Sequence, residues 1–219
     1  MPHFTHHSEE NYLKAIYKLE NKDLKKVNNA ALAGALNLNP ATVLQMVRKL
    51  KDKKLVEISR DKSLKLTANG MVHAISITRK HRLWEVFLVE KLNYKWTEVH
   101  DLAEQLEHIE SEDLIKRLDK FLGRPTFDPH GDPIPDENGK VKKLKTEKLS
   151  SRPGKSKVVI IRLENATDDF LKYLDKVGLA IGDTIEIKEV EAFDQSVTVL
   201  HKKNLISLSN EAAGNILVM

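Results

Sequence analysis

Within its first 66 residues the chain changes its apolar period from that of a helix to that of a strand, and this change constrains the fold more than any other feature. Tyr12, Leu13, Ile16, Tyr17 and Leu19 recur at helical spacing behind Ser8, a good N-cap, which predicts a first helix over residues 9–20. Asn28 or Asn29 can cap a short second helix that runs to Leu36. After the turn-length link Asn37-Leu38-Asn39, Asn39-Pro40 supplies a cap and a first-turn proline for a third helix over 41–53. Val56-Glu57-Ile58 and Leu64-Lys65-Leu66 then alternate with period two around Ser59-Arg60-Asp61-Lys62-Ser63, the pattern of a two-stranded hairpin. Helix, helix, turn, helix and hairpin in that order make a winged helix-turn-helix.

Beyond it, Thr67 opens a long helical stretch to about Leu92, Thr97 can cap a helix over 97–110, and Ser111 caps another that ends at Gly123. Five of the seven prolines (Pro125, Pro129, Pro133, Pro135, Pro153) fall in 124–157, which reads as a linker. Past it, 158–163, 183–190, 197–200 and 204–208 read as short strands, with a helix near 167–177, the spacing of a small β-barrel. The expected organisation is therefore α+β, mainly α: a winged helix-turn-helix over 1–67, a helical module over 68–124, a Pro-rich linker over 125–157 and a small β-barrel over 158–219.

Composition excludes several classes. Cysteine is absent, which removes disulfides, Cys-ligated zinc, iron-sulfur clusters and cysteine nucleophiles, and leaves only N and O ligands for any metal. No apolar run approaches the roughly 18 residues of a membrane helix, and residues 1–7 do not pair a basic region with an apolar one, so a cytoplasmic protein is expected. Residues 1–66 carry 13 Lys/Arg against 7 Asp/Glu within a net charge of only +4, so the basic character is concentrated in the first third. That suits a polyanionic partner, although a solvated surface can carry the same charge.

In a helix-turn-helix the second helix enters the major groove with its N-terminal residues at base edges. The candidates are Asn39, Ala41, Thr42 and Gln45 near the helix start, and Arg48, Lys49 and Lys51 further along. Gln reads adenine bidentately, Thr and Ala meet a thymine methyl, and the cations hold phosphates. Arg60 and Lys62 at the hairpin tip are placed to grip phosphate or the minor groove. A solvated face of an amphipathic helix would use the same residue types, so the order of elements says more than any one side chain.

A second constellation lies downstream. At about 100° per residue, His100, Glu104, Glu107 and His108 share one face of the 97–110 helix, opposite Leu102, Leu106 and Ile109. A lone His/Glu pair is a commonplace polar face; four ligand types on one stripe are not. His81 and Glu85, one helix earlier, stand at i and i+4, a spacing that lets two side chains hold one ion. Oxygen plus imidazole suits Mn(II) or Fe(II) better than copper, and zinc can also bind.

These residues carry a family resemblance. His81-Arg82-Leu83-Trp84-Glu85, then Val99-His100-Asp101-Leu102-Ala103-Glu104-Gln105-Leu106-Glu107-His108, then Pro129-His130-Gly131-Asp132-Pro133-Ile134-Pro135 resemble the metal-dependent transcriptional repressors related to diphtheria toxin repressor and the manganese transport regulator. The similarity also takes in Tyr12-Leu13-Lys14-Ala15-Ile16-Tyr17 and the wing. It implies a helical domain for dimerisation and metal binding, and an SH3-like (FeoA-like) C-terminal domain as in the longer members. It further implies an ancillary metal site of His81, Glu85 and His100 with Asp169, and a primary site of Glu104, Glu107 and His108 with Asn11 from the first helix. Glu104 stands where iron-type members carry Cys and manganese-type members Glu, which tilts the chain toward manganese. Asn11 stands where the family offers Asp or Met, and Ala166 where some members place a Glu ligand. A neutral amide is the weaker ligand.

The resemblance implies a non-enzymatic repressor, homodimeric through Leu83, Trp84, Phe87 and Leu88, that binds a palindromic double-stranded DNA operator when Mn(II) or Fe(II) is bound and controls metal-uptake genes. Those four apolar residues are equally readable as core. Two alternatives stay open at this point: a winged-helix regulator of another signal, and a metallohydrolase using the His/Glu cluster, which lacks an HExxH motif, a P-loop and a nucleophile elbow.

Overall fold

The computed structural model describes residues 3–21, 26–152 and 154–219, with side chains from Glu9 onward; Pro153, one of the linker prolines, lies outside the described residues. The chain divides into two compact units, one of Met1–His81, Gln105–Ser111 and Pro135–Lys140, the other of Arg82–Glu104, Glu112–Ile134 and Val141–Met219.

The first unit holds α1 (His3–Glu20), α2 (Asn29–Leu36), α3 (Pro40–Asp52), β1 (Val56–Ile58), β2 (Leu64–Leu66) and the start of α4 (Ala68–Leu92). α1 begins at His3, ahead of the expected start at residue 9: neither Gly nor Pro separates His3 from Ser8, so Ser8 sits inside the helix. The other boundaries follow local chemistry. Asn28 caps α2 by accepting from the Ala31 N–H at 2.9 Å, and Asn37 ends it in the left-handed region at φ 51°. Asn39 caps α3 by accepting from the Ala41 N–H at 2.8 Å, with Pro40 in the first turn. Thr67 caps α4 by accepting from the Gly70 N–H at 3.0 Å. β1 and β2 pair antiparallel as Val56 with Leu66 and Ile58 with Leu64. Tyr12, Leu13, Ile16, Leu32, Val43, Val47, Leu50, Val56 and Leu64 form the core. The winged helix-turn-helix is thus closed by one face of each helix and the inward side of the wing.

The second unit contains the rest of α4, most of α5 (His100–Leu106) and α6 (Glu112–Phe121), then an antiparallel sheet. Its strands are β3 (Glu147–Lys148), β4 (Lys157–Leu163), β5 (Thr184–Val190), β6 (Val197–His201), β7 (Asn204–Leu208) and β8 (Ile216–Val218), in the order β3-β8-β4-β5-β6-β7. Register shifts at Ile160/Arg162 and Ile187/Glu189 mark irregularities that bend such strands. α7 (Asp168–Val177), capped by Thr167 and ended by Gly178 at φ 75°, covers a core of Ile160, Leu163, Leu171, Leu174, Ile185, Ile187, Val197, Val199 and Ile216; α8 (Asn210–Gly214) leads into β8. β3 lies within the Pro-rich stretch, so the sheet draws on residues the sequence reads as loop. α5 is shorter than the expected 97–110: Thr97 lies in a turn, and Glu107 and His108 follow the helix in a turn of their own. The chain is α+β and mainly α, with a winged helix-turn-helix, a helical part and an SH3-like sheet. Among the described residues no helix is long and apolar enough to cross a membrane.

Candidate metal centre

In the first unit the chemistry converges on Glu107, whose side chain is wholly buried. A buried carboxylate is costly unless paired, and Glu107 is paired with a lysine and an imidazole. His81 Nδ1 lies 2.5 Å from Oε2, Lys14 Nζ lies 2.6 and 2.8 Å from the two oxygens, and His108 Nε2 stands 3.8 Å from Oε1. The other ring nitrogen of His108 is 2.6 Å from Glu10 Oε2. Glu10 and Asn11 each stand one turn from Lys14 on α1 and so lie beside it on the helix surface. Asn11 Oδ1 is buried with no hydrogen-bond partner among the described residues. That is an unusual state for an amide oxygen, and the kind of atom that accepts a cation.

The second unit also holds a cluster. Glu85 is 2% exposed, with His100 Nδ1 3.4 Å from one carboxylate oxygen and His130 Nδ1 3.7 Å from the other. His100 Nε2 also lies 3.7 Å from Glu104 Oε1. Ligand atoms of Glu85, Asp128 and His130 all lie within 4.8 Å of one another, and all three residues are buried. Asp128 Oδ1 accepts the N–H groups of His130 (2.8 Å) and Asp132 (2.9 Å), which folds 128–132 into a tight turn. Burial, with Asp132 and Glu85 nearby, pushes the Asp128 carboxyl up to about 7 despite Arg82. His130 loses basicity to burial, but its pairing with Glu85 and Asp128 and its bond to the Trp96 carbonyl outweigh that and raise it to about 9. Its Nε2 lies 3.0 Å from Trp96 O, and the two rings stack. The turn is fastened to β4 by the Leu163 N–H donating to His130 O at 3.1 Å and by an Arg162–Asp132 ion pair at 2.8 Å.

His81, expected in the ancillary set with Glu85 and His100, also contacts Glu107, expected in the primary one. Glu85 meets His100 as expected, while Asp169 lies exposed in the first turn of α7 and joins no group of three closely placed ligand atoms among the described residues. Ala166 is exposed and offers no donor atom. Sequence reasoning missed Glu10, Asp128 and His130: the Pro129-His130-Gly131-Asp132 segment was visible as a motif, but its proline content reads as linker, and Glu10 has no periodic signal of its own. Both clusters are rich in carboxylate and imidazole and contain no sulfur, a donor set that fits Mn(II), Fe(II) or Zn(II).

Asn39, Ala41, Thr42, Gln45, Arg48, Lys49 and Lys51 are exposed along α3, opposite buried Val43, Val47 and Leu50. Two have structural duties: Asn39 caps the helix, and Lys49 pairs with Glu9 of α1 at 2.8 Å. Burial raises the Glu9 carboxyl, and its bonds to Lys49 and Lys53 more than reverse this, leaving it below the ordinary range. At the wing tip Arg60 and Lys62 are exposed, Lys62 in the left-handed region at φ 62°. Beside them Asp61 accepts from Ser63 and pairs with Lys26 at 2.6 Å, which holds its carboxyl well below the usual carboxylate range. Of the apolar residues expected at a dimer interface, Leu83, Trp84 and Leu88 are buried by the chain's own packing at 0%, 8% and 4% exposure. Phe87 is half-buried, edge-on to Trp84 and beside exposed Phe121.

Residues 4–64 match the family model "Iron dependent repressor, N-terminal DNA binding domain", residues 67–136 match "Iron dependent repressor, metal binding and dimerisation domain", and residues 147–219 match "FeoA domain". The iron-dependent repressor IdeR of Mycobacterium tuberculosis is 40% identical over 126 residues, 58% of this chain and 54% of IdeR, so the match spans about half of that relative's length. The diphtheria toxin repressor of Corynebacterium diphtheriae is 31% identical over 218 residues, 94% of each chain. A solved manganese-dependent transcriptional repressor in complex with manganese superposes with a TM-score of 0.88 at 32% identity, over 96% of this chain and 99% of that one. The chain belongs to the iron-dependent repressor family of metal-dependent, DNA-binding transcriptional repressors.

Proposed function

We propose that this chain is a cytoplasmic, homodimeric repressor that binds a palindromic operator when Mn(II) or Fe(II) is bound, and that it controls genes of metal uptake. The observation that carries the reading is the pairing of Glu10 with His108: a carboxylate on the first helix of the winged helix-turn-helix reaches the imidazole beside Glu107, so the DNA-reading unit contains part of the candidate ligand set. Glu104, Glu107 and His108 with Asn11 form the primary site in this reading, Glu10 and His81 supporting it. His81, Glu85 and His100 with Asp169 form the ancillary site, Asp128 and His130 lying beside Glu85. A divalent cation supplies positive charge that these buried carboxylates otherwise draw from protons and lysine. Glu10 and Asn11 then hold α1 in one arrangement, and α1 in turn positions α3 through Glu9, Lys49 and Lys53. The division into a DNA-binding part over 1–67, a helical part over 68–124, a linker over 125–157 and an SH3-like part over 158–219 belongs to the same proposal, as do Gln45, Thr42 and Ala41 at bases, Asn39, Arg48, Lys49 and Lys51 at phosphates, and Arg60 and Lys62 at phosphate or the minor groove. Phe87 is the residue of the apolar set with surface left for a second copy. The family is one of DNA-binding repressors, and the metallohydrolase alternative is set aside on that ground.

The test is binding of the purified protein to its own upstream promoter DNA in chelator, Mn(II), anaerobic Fe(II) and Zn(II), beside a Glu107→Ala/His108→Ala variant. Tightening by Mn(II) or Fe(II) that the variant loses is the expected result, and the better ion identifies the signal. Equal binding in chelator would leave a winged-helix DNA binder with a different signal.

A further inference from the structure

Among the groups gathered at Glu107, Lys14 is the one that cannot be a metal ligand while it stays where it is. Its Nζ lies 2.6 and 2.8 Å from the two carboxylate oxygens, the position a chelated cation would take between them. Its side chain is only 17% exposed and that of Glu107 0%, so the ammonium has given up most of its water to be there. It stands one turn along α1 from Glu10 and Asn11, beside each of them on the helix surface.

We propose that Lys14 is a built-in counter-cation for Glu107 that competes with the divalent ion and so sets the concentration at which the primary site fills. The inference rests on Glu107 being a metal ligand, as proposed above. In the metal-free protein Lys14 neutralises a wholly buried carboxylate, and it ties α1 to the 107–108 turn. An ion at Glu107 has to displace that ammonium. Lysine suits a displaceable counter-ion, because its flexible stem can carry the charge out to water while its methylenes stay packed. Arginine would hold the carboxylate through a rigid bidentate fork and yield it less readily. The two substitutions therefore separate competition from a merely structural role: removing the charge tightens metal binding, and replacing lysine by arginine weakens it.

The experiment uses the full chain stripped by chelator and titrated with Mn(II), free Mn(II) being followed by its electron paramagnetic resonance signal, for the wild type, Lys14→Met and Lys14→Arg, each also in a Glu107→Gln background. Far-UV circular dichroism checks that every variant is folded. Expected are an affinity at least tenfold tighter at one site in Lys14→Met and weaker in Lys14→Arg, with both effects lost in the Glu107→Gln background. Chelated Lys14→Met is expected to melt below the wild type, and its melting temperature to rise more on adding Mn(II). Folded Lys14→Met that binds Mn(II) no more tightly than the wild type overturns the proposal while leaving Glu107 as a ligand. A wild-type isotherm that Glu107→Gln does not change overturns the ligand assignment itself, and the role of Lys14 with it. If Lys14→Met fails to fold, Lys14→Arg alone decides, since unchanged or tighter Mn(II) binding there contradicts competition.

Discussion

Gly131 links the buried turn that carries Asp128 and His130 to β4, and Gly131→Ala probes that link. The residue sits at φ 82°, a conformation that costs an L-residue about 1 kcal/mol or somewhat more. A Cβ there would lie 2.1 Å from the Ile161 carbonyl oxygen and 2.7 Å from Arg162 Cα, against 3.4–4 Å for ordinary contact. The overlap is with backbone, so no rotamer change relieves it and the turn has to move by more than an ångström. Adding about 1–3 kcal/mol for such overpacking gives a total of about 3 kcal/mol. At about 2–4 °C per kcal/mol for a chain of this size, melting falls by roughly 6–12 °C. Gly178→Ala is the matched control: φ is 75°, but nothing lies within 4 Å of the added Cβ, so only the backbone cost of about 1 kcal/mol applies. Differential scanning calorimetry in chelator measures both. Because the turn carries His130 and Asp128, Gly131→Ala is also expected to lower Mn(II) affinity, which Gly178→Ala leaves alone. Equal melting temperatures for the two variants would refute the steric argument.

Three further outcomes are expected. Glu9→Gln removes the ties to Lys49 and Lys53; the carboxyl lies below its ordinary 4.5, so its contribution is present above that value and fades as pH falls through the folded-state value. Urea titrations should show a loss of about 1 kcal/mol at pH 7 that shrinks as pH falls below 4.5. Asp128→Asn keeps an oxygen for the His130 and Asp132 N–H groups and relieves the crowding with Asp132 and Glu85, so the chelated protein should melt about 2–4 °C higher, while calorimetric titration finds Mn(II) about tenfold or more weaker at that cluster. Gln45→Ala should lose about 1–3 kcal/mol of operator discrimination, whereas Lys51→Ala should weaken all sequences alike and reduce the salt slope by about one, both read by fluorescence anisotropy.

The winged helix-turn-helix was legible because its signals are local: Asn28, Asn39-Pro40 and Thr67 act within three residues of themselves, and the change of period at Val56 needs no tertiary context. The sheet's longer strands were legible for the same reason, and β3 and β8, at two and three residues, were too short to show a period. In the site, residue types and the stripe from His100 to His108 were readable, but their partners were not. α5 stops at Leu106, which moves Glu107 and His108 off the helical face and toward His81, Glu10 and Lys14. His130 and Asp128 come to Glu85 only because 128–132 folds on its own N–H groups, a non-local outcome that a proline count describes as loop.

If metal and DNA act on one equilibrium, linkage makes this visible in a single measurement: the Mn(II) affinity of the chelator-stripped protein with and without saturating operator DNA. If the ion stabilises the DNA-competent arrangement, DNA must tighten Mn(II) binding by the same factor by which Mn(II) tightens DNA binding, typically about 5–150-fold. That equality is expected, as is its loss in Glu107→Ala/His108→Ala. Identical Mn(II) affinity with and without operator would contradict the linkage.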